Sequence, residues 1–488
     1  MNQNQTKPQI PIQEFNKGGL ADSKWSDVAN SFYKMTGVDP HSSPGLLKVA
    51  QKFTKMSAAT VDEFCKASVV SSNGRVYFFS ADSGKIWEID TAGAITLVLT
   101  TTAAAGEVKC LGAAEYQGYI YWATQSRLHR ILATDAEGAT EWGTNKVLNW
   151  ATFAKTDDTY HPMYENTNTR VLYIGDASFV AQVDAGVFSD EALDIVTPRR
   201  VKSFGQLGTD LLVGIWISDY ITATQIYRWN TWSVTFTSSD TIPEQGINAF
   251  IPADNFVLVQ AGLAGNIYSY DGEKLKLYKK IPGDYSLTKY GQVNPYAVGN
   301  LNGQILMGFS NEAGDPADSG VYRLARHDAK YPLVLDFPYP ISERASTELV
   351  VTGVEIGAIA VSGFNVYTSW KRTATGPAYT YGIDKLDYSN KQEKAYVETR
   401  VMNIMREEFS TIGRIDFSYY DIPASCALTI SLSKNYAAYA AMTVVKDTDR
   451  LIVGADEGNE VSVLQVKLGF TVNSDDAPSV ERGSVFIR

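Results

Sequence analysis

Short apolar runs separated by polar turns recur along most of this chain. The clearest example is residues 109–131, which read KCLGAAEYQGYIYWATQSRLHRI. Three runs, Leu111–Ala114, Ile120–Ala123 and Leu128–Ile131, alternate there with turns such as Gln117-Gly118. Runs of β-branched and aromatic residues between Gly-, Asn- and Ser-containing turns are typical of antiparallel strands. The stretch therefore predicts a β-meander, which needs copies of itself to bury its faces.

Copies of this meander occur in order along the chain. The middle strand recurs at Val76–Phe79, Val171–Ile174, Leu212–Ile215, Phe256–Val259, Ile305–Gly308 and Phe364–Thr368. The third strand recurs at Ile86–Ile89, Val180–Val183, Ile226–Trp229, Ile267–Tyr270, Val321–Leu324 and Tyr381–Ile383. Successive third strands begin 41 to 60 residues apart, close to the ~40–50 residues of a propeller blade. The repeats predict an all-β fold built on a β-propeller, most simply a seven-bladed one.

The repeats also suggest domain boundaries. Residues 61–394 are predicted to form the propeller, and residues 395–488 a small C-terminal β-sandwich, because alternation in stretches such as Ile415–Tyr419 indicates strands with one buried face. Residues 1–60 contain Gly and Pro breaks and predict an extended arm or strap that lies on another surface. An alternative is that this segment closes the propeller by lending a strand to the last blade.

Composition narrows the classes of function. The 488 residues include 43 Lys and Arg against 54 Asp and Glu, a net charge of −11, which argues against a nucleic-acid-binding protein. The sequence contains no run of 18 or more apolar residues, so no membrane span is predicted. The first residues lack the pattern of a secretory signal. Cys65, Cys110 and Cys426 are too few and too far apart for a disulfide framework, so we expect buried thiols in a protein folded in a reducing cytoplasm.

Candidate chemistry is sparse. His41, His129, His161 and His327 lack the spacing of a zinc site, and the acidic stretch Asn311–Gly320 lacks the pattern of a calcium-binding EF-hand. No nucleotide-binding loop or nucleophile motif is present. We therefore predict no catalytic residue, no metal site and no cofactor.

One turn resembles a known motif. Ser80, Asp82, Gly84 and Trp87 match the S-x-D-x-G-x-x-W pattern of the Asp box found in sialidases and related propellers. In those families the box is a hairpin turn stabilised by its Ser and Asp side chains, on the face away from the active site. The resemblance supports a propeller and implies no catalysis.

Two further motifs precede the predicted propeller. An F-x-x-G-G-L element is followed by a P-G-x-L-K-V element, and the arm, propeller and β-domain together resemble structural proteins of tailed bacteriophages. The resemblance implies assembly contacts at Phe15, Gly18, Gly19, Leu20, Trp25, Pro44, Gly45 and Leu47.

The expected function is accordingly a non-enzymatic virion protein of a bacteriophage tail assembly, such as a connector, hub or tail-tip subunit. Its expected partners are other virion proteins and further copies of itself in a symmetric ring, assembled in the host cytoplasm. Two alternatives remain open: a receptor-binding tail protein that attaches to a host surface glycan, and a propeller glycoside hydrolase.

Overall fold

The computed structural model describes residues 9–487 except 27, 29, 44, 57–60, 101–108, 158, 218–222, 287, 312–318, 327–331, 344–352, 374–378, 405–411, 421, 443, 445–449 and 454–460. The chain forms two compact units. Unit 1 contains residues 1–54, 321–349 and 386–488, and unit 2 contains residues 55–320 and 350–385.

The N-terminal segment consists of short strands and one helical turn. Its elements are β1 (Gln9–Ile12), α1 (Phe15–Gly18), β2 (Gly19–Leu20), β3 (Ser31–Thr36), β4 (Val38–Asp39), β5 (Lys48–Val49) and β6 (Gln51–Lys55).

Five four-stranded antiparallel sheets follow in unit 2, each made of consecutive strands. The first holds β7 (Cys65–Val70), β8 (Val76–Ser80), β9 (Lys85–Ile89) and β10 (Ile95–Thr100). The second holds β11 (Gly112–Tyr116), β12 (Tyr119–Ala123), β13 (Arg127–Leu132) and β14 (Val147–Thr152), with a 3-10 turn at Ala133–Asp135 and helix α2 (Gly138–Asn145) before its last strand. The third holds β15 (Met163–Asn166), β16 (Val171–Asp176), β17 (Phe179–Asp184) and β18 (Val187–Asp194). The fourth and fifth hold β19 (Arg200–Leu207), β20 (Asp210–Trp216), β21 (Thr224–Trp229), β22 (Ser238–Ile242), β23 (Ile247–Ala253), β24 (Phe256–Ala261), β25 (Asn266–Tyr270) and β26 (Leu275–Lys280).

Two further repeats complete unit 2. The first of them contains the hairpin β27 (Gly291–Leu301) and β28 (Gln304–Asn311). The chain then forms β29 (Gly320–Ala325) and β30 (Val334–Pro340). The last repeat is the meander β31 (Val354–Ser362), β32 (Asn365–Thr373) and β33 (Tyr379–Lys391). The first strands of the seven repeats, β7, β11, β15, β19, β23, β27 and β31, each contact the next, and β31 contacts β7. They form a closed ring of seven inner strands, so the predicted all-β propeller is confirmed.

The ring closes by tight packing between its first inner strand, β7, and strands β31 and β32 of the last repeat. The Ser369 hydroxyl donates a hydrogen bond to the Cys65 carbonyl at 2.6 Å. A Cβ at Gly357 would lie 1.9 Å from the same carbonyl oxygen, so a side chain at this position would push the two strands apart.

The C-terminal strands belong to unit 1. They are β34 (Lys394–Thr399), β35 (Met402–Asn403), β36 (Ile412–Tyr419), β37 (Ala427–Lys434), β38 (Ala440–Met442), β39 (Arg450–Val453), β40 (Val463–Thr471) and β41 (Val480–Ile487). One sheet of unit 1 has the order β1-β41-β36-β39, and a larger one includes β38-β37-β40-β34-β3-β30-β29. N-terminal strands therefore pair with C-terminal strands in both sheets.

This pairing differs from the predicted division at residues 60 and 394. The predicted arm lies in strands because β3 pairs in antiparallel register with β34, for example Phe32 with Thr399. β6 is hydrogen-bonded to β33, and the Met56 N–H donates to the Ile383 carbonyl at 2.9 Å. The alternative interpretation, in which the segment lends a strand to the last blade, stays a prediction. No helix in the described ranges is long and apolar enough to cross a membrane.

Candidate functional site

Polar and charged side chains gather where the seven inner strands begin, an end of the ring that we call the ring mouth. Lys66, the second residue of β7, pairs with Glu355, the second residue of β31. Lys202, the third residue of β19, bonds to Asn248, the second residue of β23. Because these contacts join residues at equivalent positions of different inner strands, the starts of those strands meet at one end of the ring.

An ion triad occupies one side of the ring mouth. The Glu355 carboxylate lies 3.1 Å from Lys66 Nζ and 2.8 Å from Lys371 Nζ. Burial acts to raise the pKa of Glu355, but the two ammonium groups outweigh it and hold that pKa below its ordinary value. Burial likewise acts to lower the pKa of Lys371, and Glu355 more than offsets it, so that this pKa is raised. Glu355 and Lys371 are therefore both charged near neutral pH.

Lys202 lies on another side of the ring mouth and has a different environment. Its side chain is buried, with the residue only 3% exposed. Its Nζ donates to Asn248 Oδ1 at 2.6 Å, lies 3.5 Å from Gln292 Oε1, and sits 5.1 Å from the centre of the Tyr160 ring. Burial lowers the pKa of Lys202 to about 7, and the charge of Lys66 adds to this shift. The amine has no carboxylate within ion-pair distance among the described residues, so its direct partners are amide oxygens and the Glu355 charge supports it only from a distance.

The amide partner of Lys202 is itself held rigidly. Asn248 Nδ2 donates to Gln260 Oε1 at 2.9 Å and to the Gly262 carbonyl at 2.6 Å. Gln260 Oε1 also accepts from the Val293 N–H at 3.0 Å. These bonds fix the Asn248 amide so that its oxygen faces Lys202.

Asp157 and Arg200 form a second charged pair beside Tyr160. Asp157 Oδ1 accepts from Arg200 Nη1 at 3.1 Å and from the Thr159 N–H at 2.8 Å. Its Oδ2 is buried without a hydrogen-bond partner in the described part of the chain. Burial raises the pKa of Tyr160 to about 12, with a contribution from the Glu355 and Asp157 charges, so its hydroxyl remains a donor over the physiological range.

Tyr296 links three inner strands at the ring mouth. The Tyr296 oxygen, carried by β27, accepts hydrogen bonds from the Ala113 N–H of β11 and the Met163 N–H of β15, both at 3.0 Å. Burial raises its pKa above the ordinary value. The phenol therefore stays neutral and acts as a fixed acceptor in the middle of the ring.

A small pocket, partly open to solvent, lies between these side chains. Its lining is Lys66, Cys110, Leu111, Thr159, Tyr160, Pro162, Lys202, Asn294, Pro295 and Tyr296. Two of these residues are cations and none is an anion, so the cavity favours a negatively charged or strongly hydrogen-bond-accepting group.

The residues predicted as assembly contacts lie in unit 1. Phe15, Leu20 and Leu47 are buried there; the Phe15 ring stacks on Phe32 at 5.3 Å, and Leu47 exchanges backbone hydrogen bonds with Val480. Gly18 and Gly19 approach neighbouring backbone closely, Gly45 has open space around it, Trp25 is 54% exposed, and Pro44 lies outside the described residues. The buried members are core residues of unit 1, Trp25 is exposed, and assembly contact stays a prediction for the whole set.

The Asp-box-like turn connects β8 and β9. The Ser80 hydroxyl accepts from the Asp82 N–H at 2.9 Å, and Asp82 Oδ2 accepts from the Phe64 N–H at 3.0 Å. Gly84 has φ of +73°, and Trp87 is fully buried. Phe64 immediately precedes β7, so this turn lies at the same end of its blade as the ring mouth and supports the start of the first inner strand.

The histidines and acidic residues do not assemble into a metal centre within the described ranges. His161 is buried, with Nδ1 2.6 Å from the Gly175 carbonyl and Nε2 3.1 Å from the Gln125 carbonyl. His129 is also buried and contacts Thr124 at 3.0 Å. His327 and most of the acidic stretch, residues 312–318, lie outside the described residues.

The ring-mouth residues were not singled out from the sequence. The only signal was one of position, because Lys202 comes two residues after Arg200, near the start of a repeat. Recognising it requires the first strand of each repeat to be aligned, and these strands are less regular than the middle and third ones.

Comparison with known proteins finds similarity of fold only. No family model and no curated protein sequence matches the chain. Similar solved structures include a catalytically inactive virginiamycin B lyase from Staphylococcus aureus with quinupristin, at 14% identity and a TM-score of 0.48 over 68% of this chain and 98% of that one. The WD40 repeats of RRP9 match at 11% identity and a TM-score of 0.46, over 70% and 99% of the two chains. The extracellular domain of a hybrid two-component system from B. thetaiotaomicron matches at 12% identity and a TM-score of 0.46, over 77% of this chain but only 44% of that one.

Proposed function

We propose that this protein is a non-enzymatic structural component of a tailed-bacteriophage particle, within the tail assembly. The proposal rests on the positions of the two motifs that resemble phage proteins. Phe15 and Gly19 from the first motif and Leu47 from the second all lie in the interior of unit 1. They join the N-terminal segment to strands from the C-terminal part of the chain, which produces a cohesive building block.

The charges at the ring mouth also favour a non-enzymatic role. A glycoside hydrolase needs one carboxylic acid that stays protonated and a second carboxylate across the bond to be cleaved. Glu355 is paired with two lysines that lower its pKa, and Asp157 is paired with Arg200. Both acids are paired with cations, and Glu355 with its lowered pKa is not arranged as a proton donor.

The test is the location of the protein on purified particles from the source of the sequence. Gold-labelled antibodies raised against the full chain should mark one end of a tailed particle, and pre-immune serum should not. Peptides of the chain should also be found by mass spectrometry in particles washed at high salt. Particles that lack both label and peptides would refute the proposal, and label on the capsid shell would move the protein out of the tail.

A second candidate, recognition of a host surface glycan, is favoured by one surface feature of unit 1. Trp25 and Tyr436 are 54% and 59% exposed, with their ring centres 5.7 Å apart, and Lys24 Nζ lies 5.3 Å from the Trp25 ring centre. Exposed aromatic faces can attract the polarised C–H groups of a sugar ring, and the lysine supplies a hydrogen-bond donor.

This candidate predicts specific binding on an array of host polysaccharides. Trp25→Ala should abolish the signal. Trp232→Ala provides a matched control, since Trp232 is 87% exposed in unit 2. Equal binding by the two variants, or no binding by the unmodified protein, would count against the glycan role.

A further inference from the structure

We propose that the cavity at the ring mouth binds a small organic carboxylate, with the Lys202 and Lys66 ammonium groups and the Tyr160 hydroxyl as its donors. This inference does not depend on a place in the virion. It assigns to unit 2 a ligand site that neither the sequence motifs nor the similar structures indicate.

The first argument is the unmet bonding capacity of Lys202. An ammonium group has three donors, and Lys202 has one short bond to Asn248 Oδ1 and one contact at the limit of bonding distance with Gln292 Oε1. A buried charge is normally paired with an opposite charge. No carboxylate of the described residues pairs with Lys202. An anion bound in the cavity would supply this missing partner.

The second argument is the arrangement of the other donors. Lys66 Nζ forms an ion pair with Glu355 Oε1 at 3.1 Å, and the Lys66 side chain is 40% exposed. Its ammonium group can therefore also face a ligand that enters from solvent. The Tyr160 hydroxyl has no hydrogen-bond partner among the described residues, although its ring is held edge-to-face against Trp216 at 6.1 Å. Two cations and one neutral donor thus line one small space.

The rest of the lining favours a carboxylate with an organic body over an inorganic anion. Lysines bind phosphate and sulfate as well as carboxylates, so the preference for an organic anion comes from the other walls of the cavity. The remaining walls include the apolar side chains of Leu111, Pro162 and Pro295. A carboxylate group could face the lysines while its carbon skeleton contacts these walls. The carboxylate could come from a free carboxylic acid or from an acidic sugar of a polysaccharide.

Several charged groups surround Lys202 and set the pH range of binding. Lys66 and Lys371 are cations, Glu355 is an anion between them, and the Asp157–Arg200 pair is balanced. Glu355 and Lys371 keep their charge between pH 6 and pH 8, whereas Lys202 changes charge near the middle of this range. Binding of a carboxylate should therefore weaken as pH rises from 6 to 8.

The experiment is calorimetric titration of the full-length protein at pH 6 and constant ionic strength. Acetate is the probe for a free carboxylate, glucuronate the probe for an acidic sugar, and glucose the neutral control. We expect saturable binding of at least one carboxylate, no binding of glucose, and a Kd at least tenfold higher in Lys202→Met. Lys276→Met serves as the matched control, because Lys276 is exposed on β26, and it should bind as the unmodified protein does.

A second variant protects the test against misfolding. Tyr160→Phe removes only the hydroxyl donor and should raise the Kd several-fold while thermal unfolding stays cooperative. Binding of glucuronate without acetate would identify an acidic sugar as the ligand, and binding of both would identify the carboxylate group alone as sufficient. The proposal is overturned if neither carboxylate binds, if glucose binds equally well, or if Lys202→Met and Tyr160→Phe both bind as tightly as the unmodified protein.

Discussion

Arg323 and Asp336 form a two-pronged ion pair inside unit 1. Arg323 Nε lies 3.1 Å from Asp336 Oδ1, and Nη2 lies 2.5 Å from Oδ2, with both side chains almost fully buried. Arg323 Nη2 also lies 2.7 Å from Asp39 Oδ1. Burial acts to raise the pKa of Asp39, but Arg323 outweighs it and lowers that pKa to about 2. One guanidinium therefore joins β29, β30 and the N-terminal strand β4.

Replacing one member of this pair should be costly. Asp336→Asn keeps the shape of the side chain but removes the charge opposite a buried guanidinium, and breaking such a pair typically costs about 3–5 kcal/mol. We expect a loss of this order in the free energy of unfolding, measured by denaturant titration. Asp284→Asn is the control, because the Asp284–Lys289 pair at 3.2 Å is exposed and should contribute under about 1 kcal/mol. Similar losses in the two variants would contradict the structural role of Arg323.

Gly19 tests how the first motif works. Its φ is +64°, and a Cβ there would lie 2.2 Å from Val334 Cγ1 and 2.5 Å from the Leu335 carbonyl. Gly19→Ala should therefore destabilise unit 1 by both backbone strain and a steric clash. Gly45→Ala is a matched control, because Gly45 has φ of +81° with nothing within 4 Å, and it should cost only about 1 kcal/mol of strain. Thermal unfolding of the two variants separates the effects, and equal shifts in Tm would show that the close approach at Gly19 is unimportant.

Tyr296→Phe should weaken the centre of the propeller. The substitution removes the acceptor of the Ala113 and Met163 N–H groups and leaves two backbone donors without their partner. An unsatisfied buried donor costs about 1–3 kcal/mol, so the free energy of unfolding should fall by at least this amount. Tyr420→Phe is the control, since Tyr420 is 56% exposed. Amide hydrogen exchange should also become faster at Ala113 and Met163 in Tyr296→Phe. Unchanged exchange there would argue against the hydrogen bonds from these two N–H groups to the Tyr296 oxygen.

Local patterns were sufficient to predict the repeats. The run Val76–Phe79 lies within β8 and Ile226–Trp229 within β21, because short apolar runs and their turns encode strands directly. The predicted turn at Gln117-Gly118 is also confirmed, with φ of +47° and +77° at its two residues. Strand β14 and helix α2 were not predicted, because neither sequence has a strong hydrophobic periodicity.

Long-range pairing could not be predicted in the same way. The register that joins Phe32 to Thr399 depends on which distant strands meet, and no local period records this. The ring mouth has the same origin: Lys66, Lys202 and Glu355 are far apart in the chain and meet only because each begins an inner strand. Single residues of this kind become a site only once the closure of the ring is known.

Lys202 predicts a specific pH dependence of stability. Its pKa is about 7 in the folded protein and 10.5 when unperturbed, so between these values the unfolded chain binds more protons than the folded one. Stability should therefore rise with pH above 7, with a slope from this group of up to about 1.4 kcal/mol per pH unit. Below pH 7 the cost of burying the charge is fully present.

The comparison with Lys202→Met isolates this contribution. Asp176, whose pKa burial raises to about 6, still titrates between pH 6 and pH 7 and lowers stability there as pH rises, but it does so in all three proteins alike. The buried thiols of Cys65 and Cys110 act in the opposite direction only as pH approaches their unperturbed value of 9.0. Denaturant unfolding at pH 6, 7 and 8 should thus show a smaller rise in Lys202→Met than in the unmodified protein, while Lys276→Met keeps the full rise. Parallel pH profiles for all three proteins would mean that Lys202 is not held as a buried, weakly paired amine, and would remove the electrostatic basis for a carboxylate site at the ring mouth.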